Sequence, residues 1–154
     1  MSRRPALLAF AGLFVLVGAG LVQAQPSGTE SDLFAAARRL RGTAVSVPPR
    51  ALAVIPERHT NRLIRLADHL ERIEPQFDDL ARGAGLNSRT SIQLITRAAH
   101  LPIFVRKTDS SVSTVLQLEI GARIEVRGVL FERGSRYLFV ASDVRPFAPR
   151  RRPH

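Results

Sequence analysis

The sequence predicts a mainly β domain with one short helix set between its third and fourth strands, and three stretches carry that prediction. In Ala122–Arg127 the apolar Ala122, Ile124 and Val126 alternate with Arg123, Glu125 and Arg127, which is the period of a strand with one buried face. Tyr137–Ala141 is a continuous apolar run, as a strand covered on both faces requires. Upstream of both, Ser110–Ile120 places Val112, Val115 and Leu116 on one helical face, with Asp109 or Ser110 to cap it and Gly121 to close it.

Taken in order, the chain opens with an export address. Ser2-Arg3-Arg4 precedes an uncharged stretch from Ala6 to Val22, and Val22-Gln23-Ala24 offers a cleavage site, so residues 1–24 read as a secretory signal peptide. The alternative is an uncleaved membrane anchor at the short limit of a spanning helix, weakened by Gly12, Gly18 and Gly20. Either way the folded part is expected to be exported, periplasmic or secreted. Residues 25–49 read as a spacer with a short helix, capped by Ser31, burying Leu33, Phe34, Ala37 and Leu40, and stopped by Gly42. Thr43–Val47 is β-prone and ends at Pro48-Pro49, and Arg50–Ile55 runs into Pro56. Residues 50–147 make one domain, and 148–154 a disordered basic tail.

Asn61–Leu80 supports two readings. Leu63, Leu66, Leu70, Ile73, Phe77 and Leu80 follow a helical heptad. Against a helix, Pro75 would break it, Ile64 and Leu66 also alternate, and the later strands need a first partner. With Arg62–Ile73 as a strand, Ile92 and Leu94 begin a second and Ile103-Phe104-Val105 forms a third. Gly128 then interrupts the fourth as a bulge or sharp coil, Val129-Leu130-Phe131 continues it, and Glu132–Arg136 is a hairpin loop.

That order resembles the OB-fold, a five-stranded barrel plugged by a helix between strands three and four. Pro56-Glu57-Arg58-His59-Thr60-Asn61-Arg62-Leu63-Ile64-Arg65-Leu66 is similar to the "Pro-x-x-Tyr-x-Gly-Lys-x-Val-x-Leu" start of small exported bacterial OB-like domains. Gly121-Ala122-Arg123-Ile124-Glu125-Val126-Arg127-Gly128-Val129 is similar to their "Gly-x-x-Val-x-Val-x-Gly-x-Val" fourth strand. His59 stands for the Tyr, Asn61 for the Gly, and Asp68 where the first strand usually has a kinking glycine. The resemblance implies a five-stranded OB-like barrel and, by analogy, a ligand face on strands two and three with the loops after strands one and four. It transfers no catalytic residue.

On that face Arg89, Arg97, Arg106, Lys107, Arg133 and Arg136 could line an anion-attracting groove. Phe104 and Tyr137, embedded in apolar runs, read as core rather than as base-stacking rings. The chain carries a net charge of +10, and Lys107 is its one lysine, so arginine coding bias competes with selection for anion contacts. The absence of cysteine excludes a disulfide scaffold, a thiolate zinc site and a Cys nucleophile. His59, His69 and His100 are too scattered for a metal, so no metal or cofactor is expected. Asp78 and Asp79 are adjacent and face different ways, Glu71 and Glu74 suit an exposed face, and Ser110, Ser111, Ser113 and Thr114 have no base nearby. The expectation is a non-enzymatic extracytoplasmic module binding an anionic envelope polymer or envelope protein. The alternatives are a structural protein–protein interaction domain and, third, a single-stranded nucleic-acid binder.

Overall fold

The computed structural model describes residues 30–148. The expected signal peptide, the first spacer residues and residues 149–154 lie outside them. The elements run α1 (Glu30–Arg39), β1 (Val45–Ser46), α2 (Pro49–Val54), a 3-10 turn (Pro56–His59), β2 (Leu63–Glu74), α3 (Asp79–Gly83), β3 (Ser91–Thr96), β4 (Pro102–Arg106), α4 (Ser111–Leu116), β5 (Arg123–Arg133) and β6 (Arg136–Pro146). Strands β2, β3, β4, β6 and β5 pair in that order, and β5 pairs back onto β2. The result is a closed five-stranded barrel whose one parallel contact is β4 with β6. With α4 between its third and fourth strands, this is the OB arrangement.

Strand, not helix, is the state of residues 63–74, because pairing to β5 and β3 lets alternate side chains fill the barrel interior. Ile64, Leu66 and Leu70 point into the barrel, whereas Leu63 joins a second cluster outside it. Leu63–His69 pairs with β5 and Leu70–Glu74 with β3, with a register shift between Leu70 and Arg72. Past that shift Ile73 lies opposite Leu94 but is 40% exposed. The step from Leu70 to Ile73 imitates helical spacing, so the heptad reading is overturned by a bent strand. Phe77 and Leu80 belong to the segment after it, where Asp78 caps the one-turn helix α3 by accepting from the Ala81 N–H at 2.8 Å.

Asp68 sits at the bend, buried and facing inward. One carboxylate oxygen accepts the His69 N–H at 2.7 Å, and the other accepts the Ala98 and Ala99 N–H groups at 2.9 and 3.0 Å. The position expected to hold a kinking glycine thus holds a carboxylate that ties the bend to the β3–β4 turn. Arg97 N–H donates to the His69 carbonyl at 2.9 Å beside it.

The core has two compartments. Inside the barrel, Ile64, Leu66, Leu70, Leu94, Ile103, Ile124, Val126, Leu130 and Phe139 pack together, closed at one end by Val115 of α4 and joined by Leu52 of α2. Outside it, Leu33, Phe34 and Ala37 of α1 pack with Phe77, Ala81, Leu86, Phe104, Val129, Phe131, Leu138 and Val140. Helix α1 is therefore docked on the barrel. Leu40, expected on its buried face, is 38% exposed, because the helix ends at Arg39. Ser31, expected as the cap, lies within α1, which spans Glu30–Arg39. Thr43–Val47 contributes only the short β1, parallel to β2. The Ser110 side chain makes no capping bond, and α4 ends at Leu116, short of the expected Ile120.

Gly128 lies where the β5–β6 ladder shifts register, as a bulge requires. A Cβ there would stand 2.3 Å from the Val140 carbonyl oxygen and 2.9 Å from the Ala141 Cα. The hairpin loop is tighter than expected, with strands running to Arg133 and from Arg136 around Gly134 at φ 61°. Gly128→Ala should destabilise the domain by about 2–3 kcal/mol in urea denaturation, whereas Gly83→Ala, with open space around its Cβ, should be neutral to about 1 kcal/mol stabilising. Asp68→Asn keeps the shape but weakens the acceptor for three N–H groups and should cost about 2 kcal/mol by the same measurement.

Candidate functional site

The expected ligand face is the outer side of β3 and β4. Their register puts Ser91 opposite Arg106, Gln93 opposite Phe104 and Ile95 opposite Pro102 on that side, while Leu94 and Ile103 face the barrel interior. It is covered. Gln93 is 8% exposed and Phe104 fully buried. The Phe77 ring lies 5.8 Å from the Phe104 ring, tilted by 41°, and α1 completes the cluster. Asp78 and Arg136 form an ion pair at 2.7 Å that ties the β2–β3 segment to the β5–β6 turn, and Arg38 of α1 pairs with the nearly buried Asp109. Phe104 is core, as its apolar run suggests; Tyr137 is half-buried against the interior cluster. The Tyr137 phenol is raised above its ordinary value by burial first and then by the Glu132 and Glu57 carboxylates.

The six expected cations do not share one groove. Arg106 and Lys107 end β4 beside the start of β3, where Lys107 N–H donates to the Thr90 carbonyl at 2.8 Å and its ammonium to the Ser88 carbonyl. Exposed Arg89 adjoins them. Arg97 follows the opposite end of β3, roughly 20 Å away at strand rise. Arg133 and Arg136 face each other across the β5–β6 turn, with Arg136 engaged by Asp78. The carboxylate candidates are likewise occupied: Asp79 pairs with Arg82 at 2.6 Å, and Glu71 and Glu74 both pair with Arg72. Ser111 Oγ donates to Asp143 and accepts the Val144 N–H at 3.1 Å. Among the described residues no group of three or more His, Asp or Glu could hold a metal ion.

A different basic surface emerges on the outer side of β2, β5 and β6. There Arg65 lies opposite Arg127, Ala67 opposite Glu125 and His69 opposite Arg123, and Arg145 on β6 lies opposite Glu125. Arg145 Nε donates to Glu125 at 3.0 Å, and that hydrogen bond and charge raise the guanidinium above its ordinary value. The Arg123 guanidinium stacks 3.9 Å over the Phe147 ring, and Arg127 donates to the Gly42 carbonyl at 3.0 Å. Arg65 makes no ion pair among the described residues. A hollow of about 670 Å³ is lined by Ser46, Arg65, Ala67, Glu125, Arg145 and Phe147, and a second of about 360 Å³ by Arg38, Leu40, Arg41, Gly42, Arg127 and Asp143. Like charges directly opposite each other on a sheet repel; Asp143 lies opposite Arg127 on its other side, and Arg65 has no such partner in register. The alternation of Arg123, Glu125 and Arg127 marked an exposed strand face in the sequence. That Arg65 and Arg145 come alongside depends on the register of β2 and β6 against β5.

No protein-family model and no curated protein sequence matches the chain. Among solved structures it is similar to a Replication Protein A heterotrimer bound to single-stranded DNA, at 10% identity and a TM-score of 0.39, over 56% of this chain and 58% of that one. It is also similar to the asparaginyl-tRNA synthetase of Entamoeba histolytica, at 11% identity and 0.46, over 71% of this chain and 25% of that one. The same synthetase with asparaginyl-adenylate matches at 13% identity and 0.45. The chain thus spans little more than half of the first and a quarter of the second. At such identities and scores these likenesses carry no argument about ligands, and the OB-like architecture stands on the strand pairings.

The covered face makes a measurable difference. Phe104→Ala should cost about 3–5 kcal/mol in denaturant unfolding, the cost of a core cavity, and Arg136→Ala, on an exposed pair, at most about 1 kcal/mol. A free ligand face would leave Phe104→Ala close to neutral.

Proposed function

We propose that this is a non-enzymatic, exported binding module that holds an anionic polymer on the outer face of β2, β5 and β6. The observation that carries the reading is that Arg65, Arg123, Arg127 and Arg145 share one outer sheet face with two acids, Glu125 and Asp143. Four guanidiniums on a rigid sheet present forked donors without further ordering, and arginine suits planar and tetrahedral oxyanions alike. The surface is continuous with exposed Arg41, which lines the second hollow beside Arg127. The N-terminal address supports an envelope setting, where acidic polymers and lipids outnumber nucleic acids. Arg89, Arg106 and Lys107 form a smaller cluster at the start of β3 and provide the competing surface.

Single-stranded nucleic acid is the weaker reading for this face. Sequence-tolerant binding of bases uses exposed aromatic platforms, and Phe104 is buried while the Phe147 ring already carries Arg123.

Residues 25–154 include every described residue, so a chain starting at Gln25 keeps the whole packed unit. Its retention on immobilised dextran sulfate should fall steeply with salt, and Arg65→Ala with Arg127→Ala should weaken it about tenfold or more. Arg89→Ala with Arg106→Ala should change it less than twofold by the same estimate. A reversal of the two double variants would move the site to the loop cluster, and salt-independent retention would favour protein–protein docking. Tighter binding of an oligothymidylate than of dextran sulfate would favour nucleic acid.

A further inference from the structure

We infer that the arginine band docks on an anionic lipid surface. This inference rests on the polyanion reading of the same band and names its ligand. Three observations separate a bilayer from a soluble polymer.

The band is not purely polar. Leu40 is 38% and Val45 50% exposed, and both lie on the segment that crosses between the two hollows, Leu40 and Gly42 lining one and Ser46 the other. Their neighbours on that segment are Arg39 and Arg41, both exposed. Apolar side chains set among arginines gain little from a hydrated polymer, whereas the boundary between headgroups and acyl chains takes up both kinds of group.

In the sequence, further arginines follow the band's last strand. The described polypeptide leaves at Ala148, on the rim of the larger hollow, and Arg150, Arg151 and Arg152 follow within four residues. A polybasic stretch tethered to a basic face attracts anionic lipid by roughly fivefold in affinity for each arginine near the surface.

Finally, the cations lie on a sheet face and not around an enclosed cavity. Arg65 and Arg127 sit opposite each other, and Arg145 and Arg123 follow along the same side. An extended face meets a plane of headgroups at several points at once, and each contact is exchangeable. Weak apolar insertion added to charge attraction is the two-signal combination that gives stable yet reversible membrane contact.

The test uses residues 25–154 with phosphatidylcholine vesicles, vesicles containing about one third phosphatidylglycerol, and immobilised dextran sulfate. The protein should sediment with the phosphatidylglycerol vesicles alone, and less so as salt is raised. Leu40→Ser with Val45→Ser should weaken vesicle binding roughly tenfold while leaving dextran sulfate retention unchanged. Arg65→Ala with Arg127→Ala should weaken both, with thermal melts confirming that each variant is folded. Retention on dextran sulfate without vesicle binding, or vesicle binding unaffected by the serine pair, overturns the lipid inference and leaves the polyanion reading standing. Binding to neither overturns both.

Discussion

The whole molecule depends on β2 serving two neighbours in succession. Its first half is paired to β5 and its second half to β3, and only a sharply bent strand can do both, because the two partners diverge around the barrel. Bending a strand opens its backbone at the turning point, where unpaired N–H groups would be costly. The Asp68 carboxylate answers this by accepting three N–H groups, from its own neighbour and from the β3–β4 turn. A buried carboxylate is expensive unless its oxygens are occupied, and here both are.

Closure of the barrel leaves two outer faces with opposite fates. On one side the β5–β6 hairpin and β4 present Val129, Phe131, Leu138, Val140 and Phe104, too apolar to stay wet, and α1 and the α3 segment cover them. The side of the fold that by analogy would meet a ligand has become a second core. On the other side β2, β5 and β6 present Arg65, Arg123, Arg127 and Arg145 with Glu125 and Asp143, and the few apolar residues beside them, Leu40 and Val45, do not recruit a cover. The placement of charge follows from where the apolar residues had to go.

The pattern of strands was readable because burial on one face imposes a period of two, visible in Ile124, Val126 and their polar neighbours, and because Gly128 marks the place where β6 comes too close for any side chain. The first strand was ambiguous for a physical reason. A bent strand whose apolar residues sit inside the barrel and, at Leu63, outside it produces apolar spacings of three and four, and local sequence cannot distinguish these from helical turns. The loop cations Arg89, Arg97, Arg106, Lys107, Arg133 and Arg136 are grouped only by analogy of position along the chain, and the two ends of β3 and β4 and the β5–β6 turn carry them to different parts of the barrel.

By itself the sequence determined the mainly β class, the helix between the third and fourth strands, the bulge at Gly128 and the excess of arginine. These are properties of local periodicity, of single-residue sterics and of composition. Tertiary structure alone decided that α1 belongs to the packed unit, that Phe77 is what covers Phe104, and that Arg65, Arg127, Arg123 and Arg145 share one face. Those outcomes depend on registers between strands far apart in the chain. A shift of one residue would turn every arginine of β5 inward, and what excludes that shift is the fit of Ile124, Val126, Leu130 and Phe139 in the barrel interior.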